Sequence, residues 1–241
     1  MVHFSESTAE PLVKHTVAER LGQEIASGAL RPGERIVEAT WARKFGVAQG
    51  SIREAINLLA QDGFVTKAAG RSARVVNLSG KDVLQIFELR SGLEGVAVRL
   101  MTQRGCDIRP LEEVLDRMRQ ALHSGRREEL IDGDLKFHLE LCRLSGNSYL
   151  FEHARKVLLP LFAFVRIRVL SSGQDAALWE KEFEAHQRIL DLVKDGQGDV
   201  AEQYVHHAMS RFAQNAYDNW GNESSFSRQA RSRRSATQRA E

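Results

Sequence analysis

The chain has 241 residues, of which 42% are hydrophobic and 27% are charged, a composition that excludes a disordered or fibrous protein and suits one or two globular domains. Its formal net charge of +2 is too small to indicate nucleic-acid binding by itself. The chain has only two cysteines, which argues against a disulfide framework. It shows no apolar signal segment, and its longest apolar run, residues 157–165, is too short to cross a membrane. We therefore expect a cytoplasmic protein.

The N-terminal third has the pattern of a helix-turn-helix. A helix is predicted over Val13–Ser27 and a shorter one over Ile36–Phe45, and Gly46-Val47 forms the turn after it. A third helix follows, with Gly63 at its C-terminal end. Its apolar residues recur at the spacing of a core-facing stripe, namely Ile52, Ala55, Ile56 and Leu59.

The other face of this third helix carries Gln49, Arg53 and Asn57, one turn apart. These amide and guanidinium groups can read base edges in the major groove of DNA. A polar face alone is more typical of a helix that is simply exposed to solvent. The neighbouring turn and hairpin are the features that favour a DNA-binding role. Gly50 and Ser51, at the start of the helix, are further candidate DNA contacts. Ser51 and Glu54 also have the spacing of a capping box, which predicts a helix start near Ser51.

A β-hairpin is predicted directly after the third helix. Phe64–Lys67 and Ala73–Val76 are β-prone runs on either side of Gly70-Arg71-Ser72. A helix-turn-helix followed by a hairpin is a winged helix. Residues on and beside this wing are candidates for contact with DNA phosphates: Arg35, Lys67, Gly70, Arg71 and Arg74.

Residues 12–78 resemble the DNA-binding domain of GntR-family transcriptional regulators. The stretch Ile25–Ile36 is close to the family's I-x-x-G-x-L-x-P-G-x-x-L turn, and Val47–Ala55 matches its V-x-x-x-x-V-R-E-A core. The resemblance implies that Arg53 contacts DNA and that a homodimer binds a two-fold symmetric operator in double-stranded DNA. The turn before the family's recognition helix often carries Ser-Arg, where this chain has Ala48-Gln49, which predicts a different choice of bases.

After a short linker, Asn77–Gly80, six helical patterns follow with no strand pattern between them. They cover Lys81–Arg104, Pro110–Ser124, Glu128–Leu144, Tyr149–Leu170, Ala176–Asp195 and Asp199–Trp220. The predicted fold is therefore mostly α, with a winged helix at residues 12–78 and an all-α bundle at residues 79–220 that serves effector binding and dimerisation. We expect residues 1–11 to be flexible and residues 221–241 to form a disordered basic tail.

Asp134 and His138 lie four residues apart on one helix face and could hold a single ion, which His186 on a later helix could also reach. One carboxylate with imidazoles suits a divalent metal such as Zn, Ni or Mn. From spacing alone, an ordinary polar pair on a helix is the more common reading.

Residues 80–220 resemble the FCD ligand-binding domain of FadR-type GntR regulators. The matching motifs are Phe87–Glu94, Asp134-x-x-Phe137-His138, Ser145-Gly146-Asn147 and Glu184-x-His186. The resemblance implies a divalent metal, held by an Asp and three His, beneath a small carboxylate effector. Asp134, His138 and His186 match three of these ligands. Arg90 and Asn147 are the candidate effector contacts, although Arg90 could instead pair with Glu94 on its own helix.

The fourth metal ligand does not match directly. The family spacing falls on Ala208, and a shift of one residue would bring His207 into place, with His206 as a weaker alternative. Ala201, Val205 and Met209 support the unshifted register. Two alternatives to a four-ligand site therefore remain: a metal held by three protein ligands, and a site that binds no metal.

Together these features predict a ligand-responsive repressor and not an enzyme. A metal- or acyl-responsive regulator on the same scaffold is an alternative, as is a metal-dependent hydrolase. No motif for a general base or an activated nucleophile accompanies Asp134, His138 and His186, which disfavours the hydrolase.

Overall fold

The structure is a computed structural model that describes residues 9–67, 72–172 and 176–220. Within these ranges the fold is mostly α, as predicted. Its elements are α1 (Ala9–Ala26), α2 (Glu38–Phe45), α3 (Gln49–Gln61), β1 (Val65–Thr66), β2 (Arg74–Val75), α4 (Gly80–Arg104), α5 (Arg109–His123), α6 (Arg127–Leu144), α7 (Ser148–Ser172), α8 (Ala176–Lys194) and α9 (Gly198–Trp220). No helix in the described part of the chain is long and apolar enough to cross a membrane.

The described residues fall into two compact units. The first lies within Met1–Asn77 and also takes in Phe162–Ser171, and the second lies within Leu78–Leu161 and Ser172–Glu241. The sequence pattern did not indicate that part of α7 would join the first unit. Of the N-terminal segment expected to be flexible, residues 9–11 belong to α1. The rest of that segment and the predicted tail at residues 221–241 lie outside the described residues.

In the first unit, α1 and α2 both pack on α3. The apolar side chains between these helices are almost fully buried: Leu21, Ile25, Trp41, Ile52, Ala55 and Ile56. Burial of this kind stabilises by about 25 cal/mol per Å² of apolar surface. Gly46 takes the left-handed conformation, with φ of 67°, and its N–H closes the C-terminal end of α2. This tight turn directs the buried stripe of α3 into the core.

The capping box predicted at Ser51 was wrong. Helix α3 begins at Gln49, with Ala48 as its extended N-cap residue, and the N–H of Ser51 bonds to the carbonyl of Ala48 at 3.1 Å. The chain enters the helix early because the Gly46 turn ends at Val47, whose N–H already bonds back to the Ala42 carbonyl at 3.0 Å. Ser51 therefore lies inside the first turn of the helix.

The wing has three backbone segments. β1 and β2 are antiparallel, with Val65 opposite Val75. The segment before α2 pairs with β2 from the other side, since Gly33 N–H donates to the Val75 carbonyl at 3.0 Å and Ile36 N–H donates to the Ala73 carbonyl at 2.8 Å. Gly33 has φ of 76°, which explains the glycine in the Pro32-Gly33 turn.

The second unit is an all-α bundle. α4 begins with a capping box between Ser79 and Asp82. α4 packs against α6, α8 and α9, and α5 packs against α6 and α8. Along α4, Gly95 lies close to His206 and Arg99 pairs with Glu202 at 2.7 Å, so α4 and α9 run antiparallel. The absence of a side chain at Gly95 permits this close approach.

Candidate functional site

The polar face of α3 is accessible. Gln49, Gly50 and Arg53 are exposed, and Ser51 and Asn57 are half-buried. The buried stripe of the same helix occupies its opposite flank. The row of amide and guanidinium groups thus projects away from the small core, which is the placement that reading of base edges requires.

Two residues of this polar row, Arg53 and Asn57, have side-chain partners outside α3. The guanidinium of Arg53 pairs with Glu38 at the start of α2, with Nη2 and Oε2 2.9 Å apart, and this hydrogen bond raises the pKa of Arg53. Lys67, at the end of β1, donates from Nζ to the side-chain oxygen of Asn57 at 2.6 Å. Wing and recognition helix therefore present their cations on a common surface.

Arg35 and Arg74 lie opposite each other in an isolated antiparallel bridge, and both are exposed. Arg74 also donates from Nη1 to the Gly33 carbonyl at 2.9 Å, which holds its side chain against the wing. The predicted contacts Gly70 and Arg71 lie outside the described residues.

A second cluster is buried in the bundle. Asp134 and His138 project from α6 and His186 projects from α8. Asp134 Oδ1 lies 3.1 Å from His138 Nε2 and 3.2 Å from His186 Nε2. The two Nε2 atoms are 3.1 Å apart. The structure thus brings together the three residues for which the sequence predicted a shared site.

A buried chain of contacts continues behind His138. Its Nδ1 lies 2.6 Å from Oε2 of Glu94 on α4, and the other oxygen of Glu94 accepts a hydrogen bond from Arg90 Nε at 2.9 Å. Burial would raise the pKa of Glu94, but the charges of Arg90 and His138 outweigh this effect and hold the pKa at about 2. Glu94 is therefore a carboxylate that orients the ring of His138.

The charge states within the cluster differ. Burial opposes the charge of Asp134, yet the two imidazoles beside it lower its pKa. Burial also opposes the charge of His138, but the carboxylate of Glu94 prevails and raises its pKa. For His186 burial prevails and the pKa is lowered. The arrangement therefore favours an ionised Asp134 next to an uncharged His186.

The residues fit a divalent metal ion. Asp134 Oδ1 and the Nε2 atoms of His138 and His186 converge on one another at 3.1–3.2 Å in the buried interior. Two ligands of one zinc-like ion, each at about 2.1 Å from it, stand about 3 Å apart. The three ligand atoms have this spacing, and the carboxylate behind His138 is the support that a metal-bound imidazole commonly has.

His207 does not join this cluster. It is exposed on α9, as is His206, which instead lies 2.5 Å from the hydroxyl of Ser91 through Nδ1. Ala208 is buried in the register that also buries Ala201, Val205 and Met209. The shift of one residue that would have made His207 a fourth ligand is therefore not present, because it would expose that apolar stripe.

The predicted effector contacts are occupied by structural partners. Arg90 is buried and bonded to Glu94, so the alternative of a pair within one helix is the arrangement observed. Asn147 accepts a hydrogen bond from the Leu150 N–H at 3.2 Å and so caps the start of α7. The Ser-Gly-Asn sequence directly before a helix was the signal for this capping role.

Two residues beside the cluster were not singled out from the sequence as site residues. Glu94 was considered only as a partner of Arg90, four residues before it on α4, and its contact with His138 was not predicted. Glu182 lies one turn before His186 on α8. Burial raises the pKa of Glu182 well above its ordinary value, and the negative charge of Asp134 adds to this effect.

An exposed polar helix face with cations on the adjoining wing, joined in one chain to an all-α domain, defines a DNA-binding protein of the winged-helix class. Comparison with known families agrees. Residues 13–75 match the gntR family of bacterial regulatory proteins, and residues 85–211 match the FCD domain. The chain belongs to the GntR family of transcriptional regulators and is not an enzyme.

Individual relatives are also regulators. The chain is 33% identical over 192 residues to the HTH-type transcriptional regulator YdhC of Bacillus subtilis, covering 77% of this chain and 83% of that protein. It is 26% identical over 224 residues to a probable D-xylose utilization operon transcriptional repressor of Paenarthrobacter nicotinovorans, covering 90% and 96%. A GntR regulator from Rhodococcus sp. RHA1 has the same fold, with a TM-score of 0.67 at 20% identity, covering 84% and 96%.

Proposed function

We propose that the protein is a homodimeric repressor that acts in the cytoplasm on a two-fold symmetric operator in double-stranded DNA. A small carboxylate effector, bound in the FCD domain over a divalent metal such as Zn, Ni or Mn, lowers its affinity for that operator. The name of the xylose-operon relative, a repressor, supports repression as the outcome.

The DNA part of the proposal is supported by the surface of α3. Arg53 and Gln49 are exposed on the helix face opposite the core, where a guanidinium can pair with guanine and an amide with adenine. Lys67 and Arg74 supply cations for phosphates, which position the protein without selecting a sequence. A net charge of +2 gives little general attraction to DNA, so two copies of this surface on one duplex account for tight binding.

The observation that carries the sensor part is the cluster of Asp134, His138 and His186. Its ligand atoms are buried and lie 3.1–3.2 Å apart. A bound ion would supply a Lewis acid with open coordination positions for a carboxylate oxygen. Effector binding changes operator affinity only by the difference in its affinity for the DNA-binding and non-binding conformations.

The test begins with selection of duplexes from a random pool by the purified protein, which is expected to yield a two-fold symmetric sequence. Fluorescence anisotropy of that duplex is then measured with metal-loaded protein and a panel of small carboxylates. We expect at least one acid to weaken binding about tenfold or more, and His138→Ala to remove this response. An operator affinity that no acid changes in the presence of metal contradicts the effector, and a response to metal alone indicates a metal sensor.

A further inference from the structure

The side-chain amide of Asn57 on α3 is engaged at both ends. Its Oδ1 accepts a hydrogen bond from Lys67 Nζ at 2.6 Å, and its Nδ2 donates to Glu54 Oε1 at 3.4 Å. An asparagine that reads adenine needs the same two ends, because its oxygen accepts from the adenine amino group while its own amino group donates to N7. The ammonium of Lys67 therefore lies where the amino group of an adenine would have to bind.

The position of Asn57 along α3 also separates it from the base-reading end of the helix. Asn57 follows Gln49 by eight residues, which is about 12 Å along the helix axis. In helix-turn-helix proteins, residues near the N-terminus of the recognition helix contact the base edges. β1 packs against α3, and Asn57 is where the side chain directly after β1 meets the helix. Asn57 thus connects the recognition helix to the wing.

Lys67 is an exposed cation whose position is restricted before any DNA binds. It comes directly after β1, in which Thr66 lies opposite Arg74. A lysine stem is flexible, so the hydrogen bond to Asn57 limits where the charged end of Lys67 can lie. An ammonium has three N–H donors, and the bond to Asn57 uses one of them and leaves two for phosphate oxygens.

A neutral amide suits this task better than a carboxylate would. Arg53 is held by the negative charge of Glu38, which competes with a phosphate for the guanidinium. Asn57 holds Lys67 through a neutral oxygen, so the positive charge of Lys67 is not cancelled. The bond from Asn57 Nδ2 to Glu54 turns the amide oxygen toward Lys67. The result is an oriented cation that keeps its attraction for the DNA backbone.

We propose that Asn57 is a positioning residue, which places the ammonium of Lys67 at a DNA phosphate and does not itself read a base. This inference rests on the proposed function, since it assumes that α3 enters the major groove of an operator. Reading of base edges by the polar row then falls to Gln49 and Arg53. The contribution of Asn57 to affinity is consequently independent of sequence and acts through Lys67.

The experiment measures DNA binding of the full-length protein by fluorescence anisotropy. The duplexes are the operator selected from a random pool, versions of it with one base pair of each half-site changed in turn, and an unrelated duplex. Asn57→Ala is expected to weaken binding to all of them about two- to tenfold for each half-site, with the preference at every base pair unchanged. In protein that already carries Lys67→Ala, the Asn57→Ala change should have no further effect.

Salt dependence and a matched control separate positioning from base reading. Lys67→Ala is expected to lower the slope of log affinity against log salt concentration by about one, because one phosphate contact is lost. Gln49→Ala removes the same kind of amide from the same face of α3. It should relax the preference at one base pair and leave the slope unchanged. Alanine favours a helix more than asparagine does, so the Asn57→Ala protein is expected to fold.

A second measurement tests the contact itself in the absence of DNA. In protein that is isotopically labelled only at asparagine, Lys67→Ala should shift the side-chain amide NMR signal of Asn57, which is assigned by its loss in Asn57→Ala. Lys44→Ala is the control, because Lys44 pairs with Glu24 instead, and it should leave that signal in place.

The outcomes separate this inference from the proposed function. A lost preference at one base pair in Asn57→Ala, full additivity of the Asn57→Ala and Lys67→Ala effects, or an amide signal that ignores Lys67→Ala overturns this inference alone. If the wild type selects no sequence and binds every duplex equally, the proposed function fails and this inference fails with it.

Discussion

Glu94 on α4 holds His138 on α6, with Oε2 of the carboxylate 2.6 Å from Nδ1 of the imidazole and both side chains almost fully buried. Because Nδ1 is engaged, Nε2 is the nitrogen that faces Asp134 and His186. Arg90 binds the other oxygen of Glu94 at 2.9 Å and so compensates its charge in the interior. The position of the His138 nitrogen proposed to bind a metal thus depends on two residues from another helix.

Glu94→Gln is expected to weaken metal binding about 10- to 100-fold, because the imidazole loses the charged partner that orients it. The same change removes the buried carboxylate charge that Arg90 Nε and His138 Nδ1 both contact, and should lower the free energy of unfolding. Metal titration and denaturant unfolding measure the two effects. Glu202→Gln breaks the half-exposed pair with Arg99 and should cost less than about 1 kcal/mol. Equal losses for the two variants would contradict this account.

His138→Ala and His207→Ala are expected to differ in metal content. His138 lies in the buried cluster, so its removal should abolish stoichiometric metal in the purified protein. His207 is exposed on α9, and its removal should leave the metal content unchanged. Elemental analysis after dialysis against metal-free buffer is the measurement. Loss of metal in the His207 variant would restore that residue as a ligand and refute the position seen in this structure.

Arg53→Ala is expected to weaken specific operator binding by about 1–3 kcal/mol and to relax selectivity at one base pair. Glu38→Gln should have the opposite effect, since Arg53 must leave Glu38 to reach a base. An exposed pair contributes about 1 kcal/mol or less, so the tightening is at most about fivefold.

Operator affinity by anisotropy decides this prediction. Glu24→Gln is the control, because it removes the same charge from a different exposed pair, with Lys44. If Glu24→Gln tightens binding as much as Glu38→Gln, the gain comes from net charge and not from release of Arg53.

Ser79→Ala is expected to destabilise the second unit by about 1 kcal/mol through loss of the α4 cap.

Hydrogen bonds from Ser79 lower the pKa of Asp82. A lowered folded-state pKa means that Asp82 contributes stability above its ordinary pKa and loses it as the pH falls through the lowered value. The stability difference between wild type and Asp82→Asn, from urea unfolding, should therefore shrink only under acid conditions. A difference that stays constant into that range would show that the charge of Asp82 is not involved.

The helices could be predicted because turn residues separate them and apolar stripes define their inner faces. Residues Ile52, Ala55 and Ile56 identified the buried side of α3, and the exposed side followed from helix geometry. The pair Asp134 and His138 was likewise a local inference from i+4 spacing. The approach of both residues to His186 depends on how α6 and α8 each pack against α4 and α5, which sequence spacing cannot give.

Some residues have two plausible roles. Asn147 caps the start of α7, and its contact with an effector stays a prediction. His207 and Ala208 are neighbours, so the identity of the inward residue depends on the exact rotation of α9, which its apolar contacts with α4 determine. The third strand-like segment of the wing was missed because Gly33–Ile36 has no alternating pattern of its own.

The backbone hydrogen bonds from Gly33 and Ile36 to the wing have a mechanical consequence. Ile36 lies two residues before Glu38, so we expect a phosphate contact of the hairpin to act also on the residue that pairs with Arg53. We therefore expect the stiffness and groove width of the duplex to influence base selection, so that operators with the same contacted bases but different flanking steps differ in affinity.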